Sequence, residues 1–153
     1  VPIIKNDDEI LVSGINIQAP WSNLILSGIK TVETRSYPVP RKYIGKWIAL
    51  IETSGKTRPS FKARIVGLIK IVESYQYNDR LEWIGDYDSH RVKQDDLLFG
   101  FRNDRRKFGW KIIGAITLKE SIKPPKSRGI VFATSCQIPK RMFSDRDLII
   151  VSS

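Results

Sequence analysis

Cysteine, histidine and methionine occur only once each in this sequence of 153 residues, and that scarcity removes several chemistries. A single thiol, Cys136, permits no intramolecular disulfide and no thiolate metal cluster. It ends the stretch Val131-Phe132-Ala133-Thr134-Ser135-Cys136, the setting of a buried inert thiol rather than of a nucleophile. No apolar run approaches the roughly 18 residues of a membrane span, and no apolar signal core opens the chain. Repeats, low-complexity segments and Gly/Ser or Pro linkers are also missing. The expectation is one soluble, intracellular domain over residues 1–153, cytoplasmic or, in a eukaryote, nuclear, monomeric and without a membrane partner.

Metal and acid–base signals are thin. Asp86, Asp88, Asp95 and Asp96 cluster in sequence but lack the glycine and terminal glutamate of a calcium loop, so neither a metal site nor a cofactor is expected. The sole histidine, His90, lies in D-Y-D-S-H-R, which reads as a surface turn or helix start. A general acid–base role is its alternative, because imidazole titrates near neutrality.

What the chain does have is apolar residues at 41%, enough for a packed interior. Its four Trp, five Tyr and six Phe can serve both a core and a stacking site. Lysine and arginine total 26 against 16 acidic residues, a formal charge of +10. That excess favours an anionic partner, nucleic acid being the commonest.

The apolar pattern is mostly that of strands. Residues 10–18 form a strand candidate interrupted at Gly14, followed by Trp47–Thr53, Phe61–Ser74, Phe108–Leu118, Gly129–Ser135 and Leu148–Val151. Gly67 and Gly114 offer bends inside the two long runs. Pro20 opens a short helix in which Trp21, Leu24 and Ile25 share one face, and Gly28 is placed to end it in a left-handed turn. A polar stretch from His90 to Phe99 is a second helix candidate, and residues 139–147 read as a basic turn. Regular crossover helices are lacking, which excludes a parallel α/β fold and leaves a small barrel of mixed strand directions.

Residues 28–35, G-I-K-T-V-E-T-R, carry the chemistry. If Thr31–Arg35 is extended, Thr31, Glu33 and Arg35 share one face while Val32 anchors the other. Lys30 stands at the mouth of that strand. Lys30 and Arg35 could hold a phosphate or polarise a carbonyl. Glu33 could accept from an exocyclic amino group, or fix its cationic neighbours in an ion pair along the strand.

This segment resembles the G-x-K-x-x-E-x-R signature of the ASCH domain, with Gly28, Lys30, Glu33 and Arg35 at the four defining positions. Pro20 and Trp21 stand where the family has a proline and an aromatic. I-G-K-W-I-A-L-I, A-R-I-V-G-L-I-K-I-V-E and F-G-W-K-I-I are similar to later strands of the family, so the likeness spans residues 13 to about 135. It implies a mainly-β α+β fold: a small PUA-like mixed β-barrel with one short helix before the motif and room for one or two more. It also implies RNA-related roles, namely binding of RNA or another ligand and, in some relatives, hydrolysis of RNA or of acylated cytidine. Two departures stand out. Relatives often carry glutamine directly before the proline, where this chain has Ala19, with Gln18 one place earlier. The small relatives that deacylate cytidine use threonine where Glu33 stands, so their covalent route is not available here.

Trp21, Tyr37 and Trp110 are the candidate base-stacking surfaces, since an aromatic plane stacks on a base with about 1–3 kcal/mol; core packing is their alternative role, and the expected one for Trp21 and Trp47. Basic clusters at Arg41-Lys42, Lys46, Lys56–Arg58, Lys62–Arg64, Arg102, Arg105-Arg106-Lys107 and Lys140-Arg141 could track a phosphate backbone; Arg41, Lys42, Lys46, Arg105, Arg106 and Lys107 lead that set. The main reading is a module binding RNA or a modified nucleotide through Lys30, Glu33 and Arg35, with DNA as a second candidate. The alternative is a hydrolase, a ribonuclease or an enzyme acting on a modified nucleoside, with Lys30 and Glu33 catalytic. A third is a protein-interaction domain.

Overall fold

The computed structural model describes residues 8–55, 58–126 and 132–152. Its elements are β1 (Glu9–Gln18), α1 (Trp21–Leu26), β2 (Val32–Arg35), β3 (Trp47–Thr53), β4 (Arg64–Tyr77), α2 (Arg80–Gly85), α3 (Tyr87–His90), β5 (Lys107–Ile122), β6 (Phe132–Pro139) and α4 (Asp145–Ser152). Single 3-10 turns follow at Arg41–Tyr43 and Lys140–Met142. The strands pair in the order β2-β5-β4-β3-β1-β6. Pairing is mixed, with β1 parallel to β3 and antiparallel to β6, and β2 antiparallel to β5. This is the mainly-β α+β class that the sequence implies, although the ladder is open: no pairing joins β2 to β6 among the described residues.

Contacts divide the chain into two compact units. One comprises residues up to Ala19, Trp47–Leu68 and Ile116 onward. Its core gathers Ala49 and Ile51 of β3, Ile65 and Leu68 of β4, Ile116 and Leu118 of β5, Cys136 and Ile138 of β6, and Met142 and Phe143. Cys136 is fully buried there, and burial pushes its thiol pKa up, which suits the inert role read from its neighbours. A Cβ on Gly14 would stand 2.9 Å from Cys136 Sγ and 2.9 Å from Ile51 Cδ1. Glycine is therefore what lets β1 approach its neighbours, and the pairing with β6 shifts register between Val12 and Gly14.

The other unit comprises Pro20–Lys46 and Ile69–Ala115. Tyr77, Trp83, Val92 and Phe101 form one of its apolar clusters, with Trp21, Ile84 and Phe99 packed against it. Pro20 caps α1 and the Leu24 N–H bonds back to the Pro20 carbonyl at 3.1 Å. Gly28 ends the turn after α1 with φ +80°, where an L-residue is strained. The chain then doubles back, and the Lys30 N–H donates to the Leu24 carbonyl at 2.9 Å.

Two elements differ from the sequence reading. Leu148–Val151 is helical rather than extended. Its β-branched run reads as a strand, yet Ser144 caps the helix through its side chain to the Asp147 N–H, and Asp145 and Asp147 favour the N-terminal turn. Leu148 and Val151, three residues apart, pack on the core, while Ile149 stands 72% exposed. The second difference lies at residues 91–99, which are turns and irregular chain; the helices come earlier, at α2 and α3. Asp79 caps α2 by accepting from the Glu82 N–H at 2.8 Å, and Glu82 reaches back to the Asn78 N–H at 2.8 Å. That near-reciprocal cap is written in the D-x-x-E spacing of residues 79–82. Of the strand read at Gly129–Ser135, residues 129–131 lie outside the described residues, as does Lys56.

Gly28→Ala tests the turn before the motif. A Cβ there would meet nothing within 4 Å, so the cost is purely backbone strain. Chemical denaturation should show a loss of about 1–2 kcal/mol, and an unchanged midpoint would contradict the left-handed turn.

Candidate functional site

Backbone hydrogen bonds pin the segment that carries Lys30. The Thr31 N–H donates to the Ser89 carbonyl of α3 at 2.9 Å, and the Thr31 carbonyl accepts from the Ile112 N–H of β5 at 2.9 Å. From Val32 onward the strand pairs with β5, placing Glu33 opposite Trp110 and Arg35 opposite Phe108. Val32 is buried, as an anchor should be. All these residues lie in the unit formed by Pro20–Lys46 and Ile69–Ala115.

The side chains of Lys30, Glu33 and Arg35 meet. Lys30 Nζ donates to the His90 carbonyl and stands 3.5 Å from Glu33 Oε1. The other carboxylate oxygen accepts from Arg35 Nη2 at 2.9 Å, and Oε1 also takes the Thr34 N–H at 3.1 Å. The Lys30 side chain has no exposure and Glu33 retains 9%, whereas Arg35 retains 19%. The triad is therefore enclosed at its lysine end and opens only through its arginine.

Electrostatics follow from that enclosure. Burial lowers the Lys30 pKa, and the attraction of Glu33 only partly restores it. Burial would raise the Glu33 pKa, but the Arg35 and Lys30 charges, with hydrogen bonds from Arg35 and the Thr34 amide, outweigh it and hold the carboxyl below its ordinary range. Lys107 belongs to the same neighbourhood: its Nζ donates to the Phe99 carbonyl at 2.9 Å, and partial burial lowers its pKa, with Glu33 and Asp96 opposing.

His90 corrects the sequence reading outright. It is no surface residue but is fully buried at the end of α3. Its Nδ1 accepts from the Val92 N–H at 3.0 Å, so Nε2 carries the proton and donates to the Trp83 carbonyl at 2.7 Å. Burial lowers its pKa and the Lys30 charge adds to this, against the Trp83 carbonyl. Both ring nitrogens are committed to backbone, which leaves none for acid–base work. The role of His90 is to hold α3 so that its own carbonyl receives Lys30.

A second support holds the start of α3. Tyr75 and Tyr77 of β4 both donate to Asp86 Oδ2, Tyr75 at 2.7 Å. Burial and the Asp86 carboxylate push the Tyr75 pKa up to about 12, although a hydrogen bond with Tyr77 opposes this, and burial together with the bond to Asp86 raises that of Tyr77 further. Both phenols therefore stay protonated donors at neutral pH. Sequence reasoning passed over Tyr75, Tyr77 and Asp86 as a unit; the Y-Q-Y spacing, which puts both rings on one face of a strand, was the available signal.

The aromatic candidates separate. Trp110 is fully buried, donates Nε1–H to the Tyr37 carbonyl at 2.9 Å and has Tyr37 edge-on at 5.5 Å. With its faces covered by protein and Arg35 5.8 Å from its ring centroid, it props the arginine and does not offer a stacking plane. Trp21, half-buried, packs edge-on to Phe99 and donates to the Arg91 carbonyl at 3.3 Å. Tyr37 keeps partial exposure. Arg41, Lys42, Lys46, Arg105 and Arg106 are exposed. Arg105 and Arg106 directly precede β5, whose first two residues are Lys107 and Phe108, the pairing partner of Arg35.

Neither the family models nor the curated proteins contain a match to this sequence. Solved structures do match. ASCH from Zymomonas mobilis superposes with a TM-score of 0.58 over 90% of this chain and 92% of that one, at 15% identity. Two mutants of that protein give TM-scores of 0.55 and 0.57 at 15% and 16% identity, covering 91% of this chain. The chain has an ASCH-like fold. At such identity the likeness speaks for the ASCH-like backbone alone and not for the chemistry of its side chains. Among the described residues, no helix is long and apolar enough to cross a membrane, and no group of three His, Cys, Asp or Glu side chains is placed to hold a metal.

Glu33→Gln should expose how much of the unit rests on the triad. It leaves Lys30 buried beside Arg35 without a countercharge, and denaturation should register a loss of about 3–5 kcal/mol. The pH dependence has a definite sign. Because the folded Glu33 pKa lies below its ordinary value of 4.5, the unfolded chain binds the proton more readily. This stabilisation is complete above about pH 4.5 and is lost as pH falls through the folded value. The wild type should therefore lose stability on acidification below about pH 4.5 more steeply than Glu33→Gln; parallel acid limbs would show that Glu33 carries no such linkage.

Proposed function

We propose that the chain binds RNA or a modified nucleotide at the open end of the triad, with Arg35 as the principal contact. The observation that carries this is the gradient of exposure along the cluster: Lys30 has none, Glu33 retains 9% and Arg35 keeps the most accessible side chain at 19%. Glu33 and Trp110 hold the guanidinium in one orientation, so little side-chain freedom remains to be lost when it engages a phosphate or a base edge. Lys107 adds a second cation, and Arg41, Lys42, Lys46, Arg105 and Arg106 supply exposed charge for the backbone. The ASCH-like fold supports the reading through the RNA-related roles that the motif resemblance implies. In this version Lys30 and Glu33 are positioning residues, not ligands.

One observation favours the hydrolase reading, the lowered pKa of Lys30. Its Nζ is nevertheless enclosed and directed at the His90 carbonyl, so catalysis would require that contact to break and Lys30 to become accessible.

Fluorescence anisotropy with a labelled single-stranded RNA between about 50 and 200 mM salt tests the proposal. Affinity should fall steeply with salt, and Arg35→Ala should weaken binding about tenfold while reducing the log–log salt slope by about one. Salt-independent binding, or binding untouched in Arg35→Ala, would remove Arg35 from the interface. Cleaved RNA on a denaturing gel, lost in Lys30→Ala, would favour the hydrolase.

A further inference from the structure

A hollow of about 520 Å³, within the size range of small-molecule sites, is lined by residues of α2, of α3 and of the chain that follows them in the same unit. These are the apolar Trp83, Ile84 and Val92, then Tyr87, and the consecutive Lys93, Gln94 and Asp95. No residue of the motif lines it. The geometry points to a nucleobase pocket: a planar heteroaromatic ring settles beside Tyr87, against the apolar lining, with its polar edge turned to Gln94 and Asp95.

Three features favour that occupant. The first is preorganisation. The Trp83 ring is stacked on His90 at 4.7 Å with planes 13° apart, and Tyr87 is braced edge-on by His90 at 6.0 Å and by the Arg91 guanidinium at 5.8 Å. The polar wall is held just beyond Asp95, where Asp96 accepts from the Leu98 and Phe99 N–H groups at 2.9 and 2.8 Å. The second is an exposed aromatic ring. Tyr87 lines the hollow and remains 37% exposed, so its ring is open to a planar partner. The third is the polar set. A side-chain amide offers a donor and an acceptor together, a carboxylate takes an exocyclic amine, and the Lys93 ammonium suits an exocyclic oxygen or a phosphate.

The ligand's identity as a nucleobase rests on the nucleic-acid reading of the triad, while the hollow itself does not. The shared chemistry is that of a free nucleoside or of a base in a strand, and the two sources are separable. In one arm, adenosine and cytidine are titrated into ¹⁵N-labelled protein while the Trp83 indole N–H resonance is followed, assigned with Trp83→Phe. In the other, a single-stranded RNA and an abasic chain of equal length compete for the wild type, Tyr87→Ala, Gln94→Ala and Arg35→Ala.

The expected result is a saturable shift of the Trp83 indole, and a preference for the base-bearing chain of about tenfold. Tyr87→Ala and Gln94→Ala should abolish that preference without weakening the abasic chain, whereas Arg35→Ala should weaken both chains. Both variants alter exposed side chains, and unchanged circular dichroism would certify their folding. A shift with nucleosides but no binding of either chain would keep the hollow and overturn the RNA reading. Strand binding with an unmoved indole, or an undiminished preference in both variants, would overturn the hollow and leave the RNA reading intact. An indole unmoved by any probe, with neither chain bound, would overturn both.

Discussion

A lysine ammonium removed from water dictates much of what surrounds the motif. Left alone, such a charge would cost several kcal/mol and shed its proton. Here the Glu33 carboxylate and the His90 carbonyl enclose it, and each of these needs support of its own. Glu33 draws on Arg35 and the Thr34 amide. His90 is fixed by bonds from its ring to the Trp83 carbonyl and the Val92 amide, while Asp86, at the start of α3, is held by two tyrosines of β4. One buried charge thus recruits backbone and side chains from α1, β2, β4, α2 and α3.

That arrangement changes the chemistry expected of a Lys-Glu-Arg signature. Charged residues spaced along a strand suggest three ligand contacts, but burial separates them: Lys30 and Glu33 are enclosed, while Arg35 keeps an exposed edge. Lys30 and Glu33 set the position and electrostatic environment of Arg35, and Trp110 limits its swing through its covered ring. A positioned guanidinium is a better anion receptor than a free one because its entropy has already been spent. The same logic assigns His90 a structural duty: a histidine with both nitrogens bound to backbone has no free valence for proton transfer.

Local rules account for the well-read elements. Trp47–Thr53, the helix after Pro20 and the glycine turn at position 28 follow from β-rich composition, proline geometry and the left-handed preference of glycine. The misread ones are places where a local signal was outweighed. Ile149, Ile150 and Val151 carry strand propensity, but the Ser144 cap and the three-residue spacing of Leu148 and Val151 toward the core make that segment helical. The polar stretch after His90 looked helical by composition, while the Asp79–Glu82 cap had already placed the helix upstream.

The sequence by itself determined that this is a basic, mainly-β chain with a G-x-K-x-x-E-x-R motif, and that Glu33 and Arg35 share a strand face, since strand alternation is a matter of period alone. Only the tertiary structure decided which of those charges meets solvent. The partner of Lys30 is a carbonyl sixty positions along the chain, and a backbone acceptor leaves no mark in residue identity. Burial is a property of what packs around a group, and no spacing rule within residues 28–35 could reveal that Lys30 is closed in while Arg35 remains open.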